Sequence, residues 1–325
     1  MGLERLPPSI AARCSLPLIA APMLRVSGHE LVVATCRSGV IGSFPVMNPS
    51  LIEPPETLDS WLKLMRQRLD PVATAPFCPN IIMRSDNITA QVETLIRFGT
   101  EMVITSVGSP KPVLPRLHDA GVVVLADVAT IEHAKKAIDI GVDGLVLLTA
   151  GAGGQTGWLN PFAFVRAVRN MFDGIIVLAG GIADGASVFA AELLGCDLVY
   201  MGTKFIAAEE SMASNAYRTA LVNGTMDDII LTKAFTGLWA NYMRSSIIDS
   251  GLDPDRLDET ISEGQARDKF GTRASGPRRW TDVTSAGHSI SGVGDIISAA
   301  QLIERTRNEY LAARSVAFAS LNLQH

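Results

Sequence analysis

Over roughly the first two hundred residues, short aliphatic and β-branched runs alternate with longer stretches whose apolar positions recur at helical spacing. The short runs predict strands at 17–20, 40–43, 76–82, 102–105, 122–126, 144–148, 175–179 and 198–201. The longer stretches predict helices at 28–37, 55–69, 87–98, 112–119, 131–140, 161–171 and 185–194, each following a strand. The strand runs are largely apolar, as strands covered on both faces are. Thr130 and Asp184 stand where an N-cap would accept from free backbone N–H groups. Gly39, Gly99, Gly121, Gly141 and Gly195 stand where helices end before the next strand. Eight strand–helix units in this span fit a closed (β/α)8 TIM barrel better than an open doubly wound sheet.

The rhythm stops after Phe205. Residues 209–222 read as helix, 223–249 as mixed helix and loop, and 250–277 as a polar stretch without a core face. Helical spacing returns from 295 to 318, through Ile296, Ile297, Ala300, Leu302, Ile303, Tyr310 and Leu311. The expected organisation is a barrel over 1–222, a helical and loop lid over the barrel mouth at 223–295, and a C-terminal helix at 296–325 packing back on the barrel.

Composition narrows the class. Of 325 residues, 47% are hydrophobic and only 19% charged, which excludes disorder, coiled coil and fibrous repeats. The net charge of −5, with no basic run longer than a pair such as Arg278-Arg279, argues against a nucleic-acid surface. No apolar run approaches the ~20 residues of a membrane helix. The N-terminus lacks a basic segment followed by an apolar one, so no signal peptide and a cytoplasmic location are expected. Cys14, Cys36, Cys78 and Cys196 are scattered without ligand spacing, which predicts reduced thiols and no metal site.

In a barrel the chemistry lies at the C-terminal strand ends. The exits here are rich in glycine and small polar residues. Gly180-Gly181 after strand seven and Gly202-Thr203 after strand eight would be neighbours, and their bare backbone suits a phosphate. The run Gly151-Ala-Gly153-Gly154-Gln155-Thr156-Gly157 departs from the G-x-G-x-x-G dinucleotide spacing and follows strand six, so it reads as a flexible site loop.

Five stretches carry a resemblance: Pro17-Leu-Ile-Ala-Ala-Pro-Met23, the 151–157 loop, Leu178-Ala-Gly-Gly-Ile-Ala-Asp-Gly185, Met201-Gly-Thr-Lys-Phe205 and Trp280-Thr-Asp-Val-Thr-Ser-Ala-Gly287. In this order they resemble the nitronate monooxygenase family, formerly called 2-nitropropane dioxygenases. That family is similar to the FMN-dependent enoyl-acyl-carrier-protein reductases and, more distantly, to inosine monophosphate dehydrogenases. The resemblance implies an FMN-bound barrel, with Ala21, Pro22 and Met23 against the isoalloxazine and Asn80 contacting it. It also implies phosphate loops at Gly180, Gly181, Gly202 and Thr203, and a cofactor contact at Gly154. Asp127 falls where some relatives carry a basic residue; capping the next helix or binding ribityl hydroxyls is the other role open to it.

The largest departure from the family is Gln155, where many members have a histidine taken to act as a base. An amide cannot take that proton, and losing a positioned base typically costs about 10²–10⁴-fold in rate. A nitronate is already deprotonated, so Gln155 can serve it as a hydrogen-bond donor. His288, in the tail segment that the resemblance lays over the flavin, is a second candidate catalytic residue. His29, His118 and His133 read as surface or packing residues, Lys204 and Arg244 as rim cations, and Trp158 and Trp239 as pocket walls or packing. The expected function is oxidation of alkyl nitronates by O2 to a carbonyl compound and nitrite, with a small organic anion as substrate. The alternatives are an NAD(P)H-dependent flavin reductase of quinones or enoyl thioesters, and a flavin-binding protein with a degraded site. Homo-oligomerisation stays open.

Overall fold

The computed structural model describes residues 3–271 and 274–322; the last residues of the predicted C-terminal helix, 323–325, lie outside them. Its strands are β1 Leu18–Ala20, β2 Ile41–Gly42, β3 Asn80–Ile82, β4 Met102–Ser106, β5 Val123–Val128, β6 Gly144–Leu148, β7 Gly154–Gln155, β8 Ile175–Ala179, β9 Leu198–Met201, β10 Ile229–Thr232 and β11 Ala240–Met243. Eight of them form one parallel sheet in the order β2-β1-β9-β8-β6-β5-β4-β3. Isolated bridges Gly42↔Phe77 and Pro45↔Asn80 join its two edges, with Cys78 donating to the Gly42 carbonyl at 2.8 Å and Asn80 to that of Phe44 at 2.8 Å. The sheet curls into the predicted (β/α)8 barrel. Its third strand is shorter than predicted because Pro76 and Pro79 have no N–H to give a ladder.

Alternation along these strands sorts the core into two layers. Ile19, Ile41, Cys78, Met102, Ile104, Leu125, Val146, Ile175, Val177, Leu198 and Tyr200 fill the barrel interior. Leu18, Val103, Val124, Leu145, Ile176, Leu178 and Val199 face outward into the helical shell. Thr130 and Asp184 cap their helices, accepting from the N–H groups of His133 and Ser187. The five helix-end glycines all take positive φ. At the base of the barrel the buried Asp197 accepts from the Ile176 N–H at 2.8 Å and from Arg169 at 2.5 Å, and Arg5 reaches it at 3.1 Å.

The region beyond the barrel differs from the pattern reading. Besides the short helices Met226–Asp228 and Arg244–Asp249, 223–249 contains a hairpin in which β10 pairs with β11 in antiparallel register, Ile229↔Met243 to Thr232↔Ala240. Strand β11 then pairs with β7, in the loop after β6, through Ala240↔Gln155 and Asn241↔Gly154. Neither strand alternates in polarity: β11 is buried at all four positions, so burial from both sides hides the period. The helix expected at 209–222 starts later, as Asn215–Asn223, capped by Ser214. No helix among the described residues is long and apolar enough to cross a membrane.

The C-terminal helix Ala299–Asn322 lies on the barrel helix Gly185–Leu194. Glu309 accepts from the Gly185 N–H at 2.9 Å, and the Tyr310 hydroxyl donates to Glu192 at 2.5 Å. The crossing is so close that a Cβ on Gly185 would stand 2.0 Å from the Tyr310 nitrogen and 2.3 Å from the Thr306 oxygen. Gly185→Ala is therefore expected to push the helices apart and to destabilise the protein by about 1–3 kcal/mol. The measurement is the urea midpoint, which should fall; an unchanged midpoint would show that the crossing relaxes without cost.

Candidate active site

The inward column on each barrel strand ends at the C-terminal rim, and those last residues form the floor of a cavity of about 890 Å³. Ala21, Asn80, Ser106, Asp127, Leu148, Ala179 and Tyr200 all line it. The floor is divided by chemistry. Asn80 opens β3, Ser106 and Asp127 lie at the ends of the next two strands, β4 and β5, and the three make a polar arc. Ser106 donates to Asn80 Oδ1 at 3.0 Å, which leaves Asn80 Nδ2 without a protein partner among the described residues. Asp127 Oδ1 is buried and has no hydrogen-bond partner, and burial pushes its carboxyl up to about 7. The Tyr200 hydroxyl is likewise buried and unpaired.

One wall comes from β8 and β9. Gly180, Gly181, Ile182, Gly202 and Thr203 line the cavity, and the N–H groups of Gly181, Ile182 and Gly202 have no partner among the described residues. Gly181 holds φ +75°, a conformation L side chains rarely adopt, with open space where a Cβ would be. Unpaired N–H groups next to a bare backbone are what an anionic group needs. Lys204 is turned away, partly buried toward Glu309 and Asp184, and burial lowers its pKa. Arg244 is paired with Asp255 at 3.0 Å. On the opposite side, after β4, Val107 adopts φ +54°, costly for a β-branched residue, and forms part of the lip.

The roof is a strap, residues 284–289, stitched down by hydrogen bonds. Ser285 Oγ donates to the Asn241 carbonyl at 2.5 Å and accepts from the Gly154 N–H at 2.6 Å. Asn241 Nδ2 donates to the Ala152 carbonyl at 2.7 Å, and the Gly287 N–H donates to Thr203 Oγ1 at 3.0 Å. The Tyr217 hydroxyl bridges the N–H and carbonyl of Ser285. Gln155 lines the cavity near Trp239 and Trp280, and its side-chain amide has no hydrogen bond among the described residues.

Ala21, Pro22, Met23, Asn80, Asp127, Gly154, Gln155, Gly180, Gly181, Gly202 and Thr203 all line this one cavity. His288 does not. Its N–H donates to the Gly151 carbonyl at 2.9 Å, its ring lies against Gly151, and the 3₁₀ turn that it starts points Ser289 inward and His288 to solvent. Of the two tryptophans, Trp239 is a wall, whereas Trp158 is 75% exposed and outside the cavity. Sequence reasoning missed Tyr200, hidden in an apolar strand run, and His133 and Lys136, whose helix borders the cavity where it opens past Ser109 and Pro110.

A sequence model described as nitronate monooxygenase matches residues 73–308. The chain belongs to the nitronate monooxygenase family. It is 26% identical over 239 residues to a (3aS,4S,5R,7aS)-5-hydroxy-7a-methyl-1-oxo-octahydro-1H-indene-4-carboxyl-CoA dehydrogenase of Mycobacterium tuberculosis, covering 72% of this chain and 64% of that one. It is 27% identical over 208 residues to a probable nitronate monooxygenase of Staphylococcus aureus, covering 60% of this chain and 57% of that one. Both matches span less than two thirds of the relative. The fold is shared with a nitroalkane oxidase from Streptomyces ansochromogenes at TM-score 0.75 and 23% identity, over 95% of this chain and 99% of that one. The family is one of flavin-dependent oxidoreductases. The cavity fits such a cofactor: it offers unpaired N–H groups at one end and a floor with unpaired polar atoms at the other.

Ser285 is the knot of the strap. Ser285→Ala leaves the Gly154 N–H and the Asn241 carbonyl without these partners, a cost of about 1–3 kcal/mol for an unpaired buried group. The variant is expected to unfold at lower denaturant and to be nicked faster within 151–157 under limited proteolysis; wild-type behaviour in both would remove the strap's structural role.

Proposed function

We propose that the protein is an FMN-dependent oxidoreductase that oxidises nitronates with O2, giving a carbonyl compound and nitrite. The observation that carries this reading is Gln155: a free side-chain amide in the cavity, held at the edge of a three-stranded sheet, in the loop where the family commonly has a base. FMN supplies the two-electron chemistry when bound.

The chain's own part is binding and orientation. The N–H groups of Gly181, Ile182 and Gly202 hold the cofactor phosphate, and Thr203, already accepting from Gly287, couples that end to the strap. Ala21, Pro22 and Met23 border the ring, and Asn80 offers it an amide N–H. The strap and the walls of Trp239 and Trp280 exclude water. Gln155 donates to the oxygens of a substrate that arrives deprotonated, so the loop need not move a proton.

A second reading, an NAD(P)H-dependent reductase or dehydrogenase of larger substrates such as acyl thioesters, is favoured by the shape of the cavity. It continues past Val107 and Pro110 along a groove bordered by Ala137, Ile140, His133 and Lys136, more room than a small nitronate needs. The mycobacterial relative is named for a coenzyme A thioester substrate.

The test is turnover of propionate 3-nitronate against nitroethane, with anaerobic bleaching of the bound flavin by each and by NADPH. The nitronate is expected to react at least ~10²-fold faster, and Gln155→His to narrow that gap by restoring a base. Equal rates on both substrates would refute the nitronate reading, and bleaching by NADPH alone would establish the second.

A further inference from the structure

We propose that Asp127 is the proton-carrying residue of the flavin site, a carboxyl that is neutral when the cofactor binds and that donates its hydrogen to an acceptor atom of the bound flavin. The inference rests on the reading of the cavity as the FMN site and concerns a role beyond substrate choice.

The geometry comes first. On β5 the inward column runs Val123, Leu125, Asp127, so the carboxyl stands on apolar packing at the top of the barrel interior and faces the cavity. Its Oδ1 is buried with no partner, the residue as a whole is half-buried where it meets the cavity, and no hydrogen bond to the side chain occurs among the described residues. A buried carboxylate without donors or a cation is among the costliest groups a protein can hold, and protonation is the cheapest relief.

The neighbours offer no other relief. Cys78, just before β3, and Tyr200, on β9, are the titratable groups that face it, and burial keeps both neutral by raising their pKa values well above the usual range. On the two strands before β5, Asn80 and Ser106 are bonded to each other. The cations of the cavity stand at its rim and are engaged elsewhere: Arg84 with Glu263 at 2.6 Å and Lys136 with Glu132 at 2.6 Å. Of the remaining lining groups, His133 is exposed on the helix that follows β5, and the Tyr217 hydroxyl is bonded to Ser285 and kept neutral by burial, which raises its pKa. Desolvation alone accounts for the raised Asp127 carboxyl.

The sign follows. A group protonated in the complex and titrating near neutrality in the free protein makes binding tighter at low pH, and the affinity is lost as pH rises through its pKa. If only the protonated form binds, affinity falls in proportion to the protonated fraction, roughly 30-fold between pH 6 and 8.5 for a group titrating near 7. An amide at this position donates at every pH, so Asp127→Asn should lack this dependence. It also removes an ionisable buried group without changing the shape of the side chain.

The experiment compares FMN dissociation constants of wild type and Asp127→Asn by fluorescence quenching across pH 6–8.5. The ratio of the two constants cancels titration of the FMN phosphate and of every group common to the two proteins. The ratio of wild type to variant is expected to rise at least ~10-fold toward high pH. In parallel, the infrared difference spectrum of wild type minus variant should hold a protonated carboxyl band at pH 6 that is lost by pH 8.5 in the free protein and retained to higher pH with FMN bound. A constant ratio, or no carboxyl band at pH 6, overturns the proposal. Failure of both proteins to bind FMN at any pH overturns the reading of the cavity on which it rests.

Discussion

In a closed parallel barrel each strand gives alternate side chains to the interior, and the last of these has packing beneath it and none above. That constraint generates the site. Lower in the barrel the inward positions are Met102, Ile104, Leu125, Val177 and Leu198, which satisfy one another by contact. One step higher the same columns present Asn80, Ser106, Asp127 and Tyr200. Polar groups are tolerable there only if a ligand, a neighbour or a proton satisfies them. Ser106 satisfies Asn80 Oδ1, whereas Asn80 Nδ2, Asp127 Oδ1 and the Tyr200 hydroxyl have no partner among the described residues.

The end of the cavity lined by unpaired N–H groups and the roof are joined by one hydrogen bond. Thr203 lies in the turn after β9, among the unpaired N–H groups, and its Oγ1 receives the Gly287 N–H of the strap. Through Ser285 the strap then holds Gly154 and Asn241, and so fixes the edge on which Gln155 is carried. A change at either end therefore reaches the other through three or four named bonds. The small sheet β10-β11-β7 gives the 151–157 loop a defined register despite its glycines, which would otherwise leave it to sample many conformations.

How much of this was legible in the sequence depends on where the burial signal lies. The barrel strands are dense aliphatic runs separated by capped helices, so their number, order and exits could be read directly, as could Gly180-Gly181 and Gly202-Thr203. The β10–β11 hairpin could not, because β11 is buried on both faces and β7 is only two residues long, too short to carry a period. His288 was misplaced for a related reason: the segment does cross the mouth, but which of two adjacent residues points inward is set by the turn at Gly287 and its bond to Thr203. Tyr200 was invisible because a tyrosine in an aliphatic run reads as core, and here it is core up to its hydroxyl. His133 and Lys136 were passed over because the cavity extends beyond the strand ends, along a helix that a barrel ordinarily uses only for packing.

The two departures from the family pattern, Gln155 and Asp127, are coupled by charge. A site with a histidine in the 151–157 loop and a cation at the β5 exit holds its proton and its positive charge on separate groups. Here the loop offers a neutral amide and the β5 exit a carboxyl that desolvation holds close to its neutral form. On the proposed reading, an anionic substrate beside the bound cofactor favours an uncharged floor, because among the described residues no cation faces Asp127 to compensate a further negative charge at low dielectric. The apolar column beneath Asp127 is thus more than packing: Leu125 and Val123 withhold donors from the buried Oδ1 and so favour the protonated carboxyl.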